Sequence, residues 1–258
     1  MPPLIEYRNV TVMRGERVVL DGITMAIGLG EHIAIVGPNG SGKSSLIKTM
    51  TRECYPLLAP GSFLRIMGKQ TWNIFELRPL LGIVSADLTE ACVGNYKGRE
   101  IILSGYFSSV GIWPHHEVTP QMERETDEVL ELLEIPHLAD RNMWELSTGE
   151  ARRIVIARAL VHHPKALVLD EPTASLDLHV TYGLREILRK VAAQGTSIIM
   201  VTHHLHDIIP EIQRVVLLKD GRLFEDGPKR EVLTQPTLGR LFGTTFELIE
   251  RDGYYTMW

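Results

Sequence analysis

The stretch Ile33-Ala34-Ile35-Val36-Gly37-Pro38-Asn39-Gly40-Ser41-Gly42-Lys43-Ser44 decides the fold of this chain. Its first four residues form a short apolar run, which is typical of a parallel strand that is buried on both faces. The next eight match the pattern G-x-x-x-x-G-K-[ST] in full, and the residues from Ser44 to Thr51 have the pattern of a helix. The sequence therefore predicts a strand, a glycine-rich turn and a helix in succession.

The glycine-rich turn has the chemistry of a phosphate-binding site. Glycines let the backbone point several N–H groups at one anion, and the N-terminus of the following helix adds a partial positive charge. Lys43 supplies a mobile charge for the β- and γ-phosphates, and the Ser44 hydroxyl can coordinate Mg²⁺. We therefore predict that ATP and Mg²⁺ bind here, and the candidate residues are Gly37, Pro38, Asn39, Gly40, Ser41, Gly42, Lys43, Ser44 and Ser45.

Two adjacent carboxylates follow a second apolar run. Ala166 to Leu169 has the pattern of a buried strand, and Asp170 and Glu171 stand at its carboxyl end, where ligands bind in a parallel sheet. We predict that Asp170 holds Mg²⁺ through its water shell and that Glu171 is the general base that activates water. An exposed Asp-Glu turn is the alternative interpretation.

Composition limits the class of protein. The chain has 258 residues and a formal net charge of −5, so there is no basic excess and we expect no nucleic-acid partner. Two cysteines without a CxxC pair fit a reducing compartment. No secretory signal precedes the first strand, and no stretch approaches the roughly 20 apolar residues that span a bilayer. We expect a cytoplasmic protein whose membrane role, if it has one, depends on a partner.

The order of predicted elements indicates an α/β fold. Residues 4–36 have the pattern of strands, whereas residues 95–163 are mostly helical, with helices predicted at Gly98 to Ser108 and at Thr119 to Leu133, and from a capping box at Ser147 and Glu150. Strands and helices then alternate, which implies a parallel sheet covered by helices. Hairpins are predicted around Lys219-Asp220-Gly221-Arg222 and around Asp252-Gly253.

A further motif carries a family resemblance. Leu146-Ser147-Thr148-Gly149-Glu150 resembles the LSGGQ signature of the ABC-type ATPases, and Ser147 lies 23 residues before Asp170, as in that family. Ser175-Leu176-Asp177 resembles the family's D-loop, and Val201-Thr202-His203 resembles its switch histidine. The resemblance covers nearly the whole chain. It implies a P-loop NTPase core of RecA type with an antiparallel β-subdomain and a helical insert.

The resemblance also implies a composite site. In this family the signature helix faces the ATP that a second subunit holds, so Ser147, Thr148, Gly149 and Glu150 are candidate nucleotide-binding residues across a head-to-tail dimer. Asp177 would lie near the dimer seam, and His203 would contact the γ-phosphate and hold the attacking water. A buried, hydrogen-bonded histidine is the alternative for His203. Lys43, Glu171 and His203 are then the candidate catalytic residues.

Two positions depart from the family pattern. A glutamine is usual after the strand near residue 84, where this chain has Ser85-Ala86-Asp87. Asp87 is a candidate metal-shell acceptor, or the contact is absent. An aromatic residue usually stacks on adenine about 29 residues before the loop lysine, where this chain has Arg14. Its guanidinium plane can stack on a base, and a solvated arginine in a hairpin turn is the alternative.

The resemblance implies an ATP-hydrolysing subunit of a membrane transporter, with a catalytic core at about 1–87 and 156–235, a helical subdomain at about 88–155 and a β-hairpin tail at about 236–258. Its partners would be a second copy or a homologous ATPase subunit and transmembrane permease subunits, on the inner face of the membrane. The tail and the LSTGE signature are similar to ATPases of metal-chelate and molybdenum type. A soluble ABC-type ATPase with a regulatory, repair or translation role is the alternative.

Aromatic residues in the helical insert and two runs of histidines each allow more than one interpretation. Tyr106-Phe107 and Ile112-Trp113 either fill the small core of the helical insert or form a groove for a membrane partner. His115-His116-Glu117 and His203-His204-Leu205-His206 lack the spacing of known metal sites, so we expect exposed loop histidines there.

Overall fold

The computed structural model describes residues 2–258. The strands are β1 (Ile5–Arg14), β2 (Arg17–Ile27), β3 (Ile33–Val36), β4 (Phe63–Ile66), β5 (Leu81–Val84), β6 (Ala166–Asp170), β7 (Ser197–Thr202), β8 (Arg214–Lys219), β9 (Arg222–Pro228), β10 (Leu248–Arg251) and β11 (Tyr254–Met257). The helices are α1 (Lys43–Met50), α2 (Ile74–Leu77), α3 (Ala86–Cys92), α4 (Gly98–Leu103), α5 (Pro120–Leu132), α6 (Thr148–Leu160), α7 (Leu178–Ala193), α8 (Lys229–Val232) and α9 (Gln235–Phe242). The chain divides into two units, residues 2–74 with 197–258, and residues 75–196.

The first unit contains an antiparallel sheet in the order β2-β1-β4. Buried and outward residues alternate along much of β1, which is the period of a strand with one covered face. Tyr7 of β1 is buried, and its hydroxyl lies 2.8 Å from the hydroxyl oxygen of Thr49 in α1. Desolvation by burial raises the pKa of Tyr7. This hydrogen bond joins the sheet to the helix that follows the glycine-rich turn.

The same unit contains a parallel arrangement around β3. Strand β3 pairs in parallel with β7 on one side and with β8 on the other, so that Ile35 lies opposite both Val201 and Val216. All four residues of β3 and all six of β7 are buried, as the short apolar runs predict. Strand β9 adds antiparallel to β8 through the predicted turn, where Gly221 has φ of 76°. The parallel sheet predicted around the glycine-rich stretch is therefore confirmed.

The second unit pairs β5 and β6 in parallel, and helix α6 packs against β5. Gly82 of β5 is approached so closely by α6 that a Cβ atom there would lie 2.3 Å from the carbonyl oxygen of Ala159. Five residues separate the end of α6 from the start of β6, and the amide of Lys165 among them donates to the carbonyl of Leu80 at 2.9 Å. Helix α6 therefore packs on β5 at backbone contact distance, and it carries the signature motif at its N-terminus.

Most of the predicted helix boundaries are confirmed. Thr119 caps α5 by accepting from the amide of Met122 at 3.3 Å, and Pro120 is its first residue. The helix predicted at Gly98 to Ser108 is too long, because α4 ends at Leu103 and continues as turns. Gly105 lies in these turns, where a side chain has no room, since a Cβ atom there would lie 2.4 Å from the carbonyl oxygen of Arg158. The tail hairpin β10–β11 is present around the predicted turn.

The close approach at Gly82 gives a stability prediction. We expect Gly82→Ala to lower the free energy of unfolding by about 1–3 kcal/mol, because the new methyl group meets a backbone carbonyl that has little freedom to move. Urea unfolding followed by circular dichroism measures the change.

The matched control is Gly227→Ala in β9, where the nearest atom to a new Cβ lies at an ordinary 3.4 Å. We expect this variant to stay within about 0.5 kcal/mol of the parent chain. An equal effect of the two substitutions would contradict the assignment of the Gly82 contact.

Candidate nucleotide site

The glycine-rich turn between β3 and α1 has a backbone that other residue types would disrupt. Gly40 and Gly42 have φ of 78° and 106°, in the region that favours glycine. A Cβ atom at Gly37 would lie 2.2 Å from the carbonyl oxygen of Leu218, and one at Gly42 would lie 2.7 Å from that of Val19. The glycines of the motif are thus required both for backbone angle and for close approach to neighbouring strands.

The side chain of Lys43 is hydrogen-bonded to the backbone of this turn. The side chain is buried, and its ammonium donates to the carbonyls of Gly37 at 2.7 Å and Pro38 at 3.1 Å. The hydroxyl of Ser41 is buried without a hydrogen-bond partner among the described residues, and such groups in native proteins usually bind water or a ligand. Ser44 stands exposed in the first turn of α1. A cation, an unsatisfied hydroxyl and a helix N-terminus at one turn suit a phosphate group.

The acidic pair lies at the end of β6 as predicted. The first four residues of β6 are buried and Asp170 is half-buried, so the strand leads from the core to a carboxylate at its carboxyl end. Glu171 follows with φ of 50°, in the left-handed region. A residue other than glycine in that region costs about 1 kcal/mol or more and is often found at functional sites. The fold therefore holds the backbone of Glu171 in an unfavourable conformation, as is common at functional sites.

Arg152 of α6 is a charged residue that the sequence analysis missed. It is 3% exposed, and its Nε and Nη1 atoms have no hydrogen-bond partner among residues 2–258. Burial lowers the pKa of Arg152, and the negative charge of Asp170 partly offsets that shift. Asp170 thus has a buried positive charge in its own unit. The Ala-Arg-Arg sequence after the signature was the available signal, but a local pattern does not distinguish a buried arginine from an exposed one.

The signature motif begins α6 with a capping box. Ser147 Oγ accepts from the amide of Glu150 at 3.3 Å, and Glu150 Oε2 accepts from the amide and the hydroxyl of Ser147, both at 2.8 Å. The predicted helix start at Ser147 is therefore confirmed. Thr148 and Gly149 occupy the first turn, where amides have no acceptor within the helix.

At Gly149 the signature helix α6 packs against α7, the helix that follows the D-loop. A Cβ atom at Gly149 would lie 2.3 Å from Cγ1 of Val180, so α6 and α7 meet here with no room for a side chain. The amide of Val180 in turn donates to the carboxylate of Asp177 at 2.9 Å, which makes Asp177 the N-cap of α7. The two segments that the resemblance assigns to the dimer seam are therefore adjacent in one unit.

His203 follows β7 in the first unit and belongs to a packed group of histidines. Its ring centroid lies 3.8 Å from that of His204, which lies 5.0 Å from that of His206. All three are half-buried, so the expectation of exposed loop histidines is wrong for this group. Asp207 accepts from the hydroxyl of Thr202 at 2.5 Å, and the same hydroxyl oxygen accepts from the amide of His204 at 3.0 Å. The segment is thus held by its own hydrogen bonds.

Arg14 and Asp87 have exposed side chains. Arg14 ends β1 opposite Arg17, at the hairpin that the sequence predicts. Asp87 lies in the first turn of α3, which Ser85 caps by accepting from the amide of Leu88 at 3.2 Å. A carboxylate there stabilises the helix through its dipole. The local fold therefore accounts for Asp87 without a metal ion, and its role as a metal ligand stays a prediction.

Comparisons with known proteins decide the family. A family model described as ABC transporter matches residues 20–174. The chain belongs to the ABC transporter family. Among relatives of this ATP-binding cassette, the hemin import ATP-binding protein HmuV of Aliivibrio fischeri is 31% identical over 93% of this chain and 90% of its own. The ABC transporter ATP-binding protein YlmA of Bacillus subtilis is 31% identical over 95% of this chain and 93% of its own.

Solved structures agree with this assignment of the cassette. CbiO1 from Clostridium perfringens, part of an ABC transporter complex, is 27% identical with a TM-score of 0.79 over 93% of this chain and 94% of that one. The cassette MJ0796, in a dimeric post-hydrolysis state bound to ADP and phosphate, is 25% identical with a TM-score of 0.71 over 87% of this chain and 98% of that one. The P-loop NTPase fold predicted from the sequence is confirmed.

The chain is an ATP-binding and ATP-hydrolysing subunit of a membrane transporter, as its motifs predict. Within residues 2–258, the helices are too short or too polar to cross a bilayer.

The capping box of α6 gives a pH-dependent prediction. The hydrogen bonds from the backbone and the side chain of Ser147 lower the pKa of Glu150, so the folded cassette favours the ionised carboxylate. This contribution to stability is fully present above the unfolded pKa of about 4.3 and is lost as the pH falls through the lower folded pKa. We expect Glu150→Gln to cost about 1 kcal/mol near pH 7, and the difference from the parent to shrink below pH about 4.

Urea unfolding at a series of pH values between 3 and 7 tests this expectation. Glu131→Gln is the matched control, because Glu131 is an exposed glutamate on α5. A Glu150→Gln deficit that does not change with pH would contradict the role of the ionised carboxylate.

Proposed function

We propose that two copies of the cassette bind two ATP molecules between them, each held by the phosphate loop of one copy and the signature helix of the other. The observation that carries this proposal is that one chain presents two helix N-termini suited to an anion. Helix α1 offers Lys43 and the glycine-rich turn, and α6 offers the amides of Thr148 and Gly149. The dimeric state of the related cassette MJ0796 supports the same arrangement.

The chemistry proposed for each copy follows from its own side chains. Lys43 binds the β- and γ-phosphates, and its charge stabilises the transferring phosphoryl group. Glu171 accepts a proton from the attacking water, and His203 contacts the γ-phosphate and orients that water. Ser44 and Asp170 would hold Mg²⁺, since hydroxyl and carboxylate oxygens are the ligands that this ion prefers. Bound there, Mg²⁺ would neutralise charge on the phosphates.

Two weaker assignments complete the proposed site. Arg14 would stack its guanidinium plane on adenine, which its exposed position at the end of β1 permits. Asp87 would accept from the water shell of Mg²⁺ in place of the glutamine that the family usually carries. Asp177, which caps α7 beside Gly149, would lie at the seam between the copies.

We further propose that the cassette acts on the inner face of the membrane with separate permease subunits. Trp113 is 52% exposed, which supports the docking interpretation of this loop over the core-filling one. Nδ1 of His116 accepts from the amide of Trp113 at 3.1 Å, and its ring stacks on Phe107 at 4.1 Å. An exposed tryptophan on a well-packed loop is suited to contact a helix of a partner protein. The names of the HmuV relatives favour a transporter that imports a metal chelate.

The proposed dimer gives a direct test. We expect Glu171→Gln to bind ATP, to hydrolyse it at least about 100-fold more slowly because the general base is lost, and to elute as a dimer from a size-exclusion column with ATP. Lys43→Ala is the matched control, since it removes the phosphate cation and is expected to bind no ATP by calorimetry and to elute as a monomer.

Cross-linking tests whether the phosphate loop of one copy lies next to the signature helix of the other. Ser41→Cys in one copy and Thr148→Cys in another, with Cys54 and Cys92 replaced, should join two copies only in the presence of nucleotide. A monomeric Glu171→Gln variant at saturating ATP, together with no cross-link, would exclude the composite site.

The permease proposal is tested by purification from the native membrane. We expect the cassette to co-purify with a multi-span protein, and Trp113→Ala to weaken that association while its ATPase activity in isolation stays unchanged. Tyr55→Ala, which removes an exposed aromatic residue of the other unit, is the control. A pool that never associates with membranes would favour a soluble role instead.

A further inference from the structure

The C-terminal hairpin β10–β11 is attached to the segment that follows the switch histidine. Strand β11 packs against the turn at Leu205–Asp207, and Tyr255 of β11 is buried. The turn of the hairpin also approaches closely, since a Cβ atom at Gly253 would lie 3.1 Å from Cβ of Pro210. The hairpin is therefore packed along the segment that begins at His203.

Lys229, the first residue of α8, fastens this contact. It is 4% exposed, and its ammonium lies 3.3 Å from the carbonyl oxygen of Ile209, 3.2 Å from that of Pro210 and 3.2 Å from that of Gly253. An ammonium has three N–H donors, so one buried charge joins the hairpin turn to the segment after His203. Burial lowers the pKa of Lys229, which shows that its charge is kept at a cost.

A second set of hydrogen bonds lies in the segment between this clamp and the switch histidine. Asp207, which is 1% exposed, lies between Pro210 and the end of β7, and its carboxylate accepts from the hydroxyl of Thr202 at 2.5 Å. The hydroxyl oxygen of Thr202 accepts from the amide of His204, whose ring packs on that of His203. The step from Pro210 to Asp207 runs along the backbone, and the other links from Gly253 to His203 are contacts within one unit.

We propose that Lys229 is a positioning residue for ATP hydrolysis, which fixes the conformation of the His203 segment by clamping the C-terminal hairpin against it. The proposal rests on the proposed role of His203 at the γ-phosphate. It assigns to the tail a part in catalysis, although no residue of the tail contacts nucleotide in the proposed mechanism. Because the phosphate loop is held by other contacts, the clamp affects turnover and leaves ATP affinity alone.

The experiment compares kcat and KM for ATP in Lys229→Met, which keeps the length of the side chain and removes its charge and donors. We expect kcat to fall about tenfold, since misplacing a reacting group by about 1 Å can cost up to about 100-fold, and KM to stay within about twofold. Arg230→Met is the matched control, because Arg230 is an exposed cation at the next position of α8. It should leave both constants unchanged.

A double-mutant cycle separates positioning from a general loss of structure. If Lys229 acts through His203, Lys229→Met should add nothing to the loss of kcat that His203→Ala causes alone. A multiplicative loss in the double variant would overturn the proposal. A His203→Ala variant with normal kcat would instead refute the proposed role of His203.

Tyr255→Ala in the full chain provides a second variant that leaves Lys229 in place, because it removes the buried side chain of the hairpin. Loosening the hairpin in this way should lower kcat by a similar factor, with ATP binding retained. Normal kcat in Tyr255→Ala, or loss of ATP binding by Lys229→Met, would show that the clamp is merely structural and would exclude the proposal.

Discussion

The structure depends on the backbone contact between the phosphate loop and the turn that joins β8 and β9. The amide of Gly221 donates to the carbonyl of Ser41 at 2.9 Å, and the amide of Asp21 donates to the carbonyl of Gly221 at 2.8 Å. The loop, β2 and the β8–β9 turn are thereby held at backbone distance. A loop fixed on both sides keeps its N–H groups aimed at one point, which is the condition for binding an anion without reorganisation.

This contact also explains why Gly221, which is far from the phosphate loop in the sequence, must lack a side chain. A Cβ atom at Gly221 would lie 2.8 Å from the carbonyl oxygen of Val19, and one at Gly37 would meet Leu218. Three segments that are separated by up to about two hundred residues therefore meet without side chains between them. The nucleotide site is built by this long-range packing as much as by the motif itself.

The parts of the fold that could be predicted from the sequence are those with a local cause. The strand, turn and helix at residues 33–50 follow from apolar runs, glycines and spacing, and the capping boxes follow from residue type at fixed intervals. Arg152 and Lys229 could not be predicted, because the burial of a cation depends on which distant carbonyl or carboxylate surrounds it. The partial burial of the histidines after β7 could not be predicted for the same reason.

The contact between Gly149 and Val180 has an evolutionary consequence. Any side chain at position 149 would clash with Val180 in the first turn of α7, which Asp177 caps. The side chains at positions 149 and 180 therefore compete for the same space. A descendant of this cassette that acquires alanine at position 149 would need a smaller residue at position 180. The pair is therefore expected to co-vary among close homologues, and the signature helix and the D-loop would diverge in step.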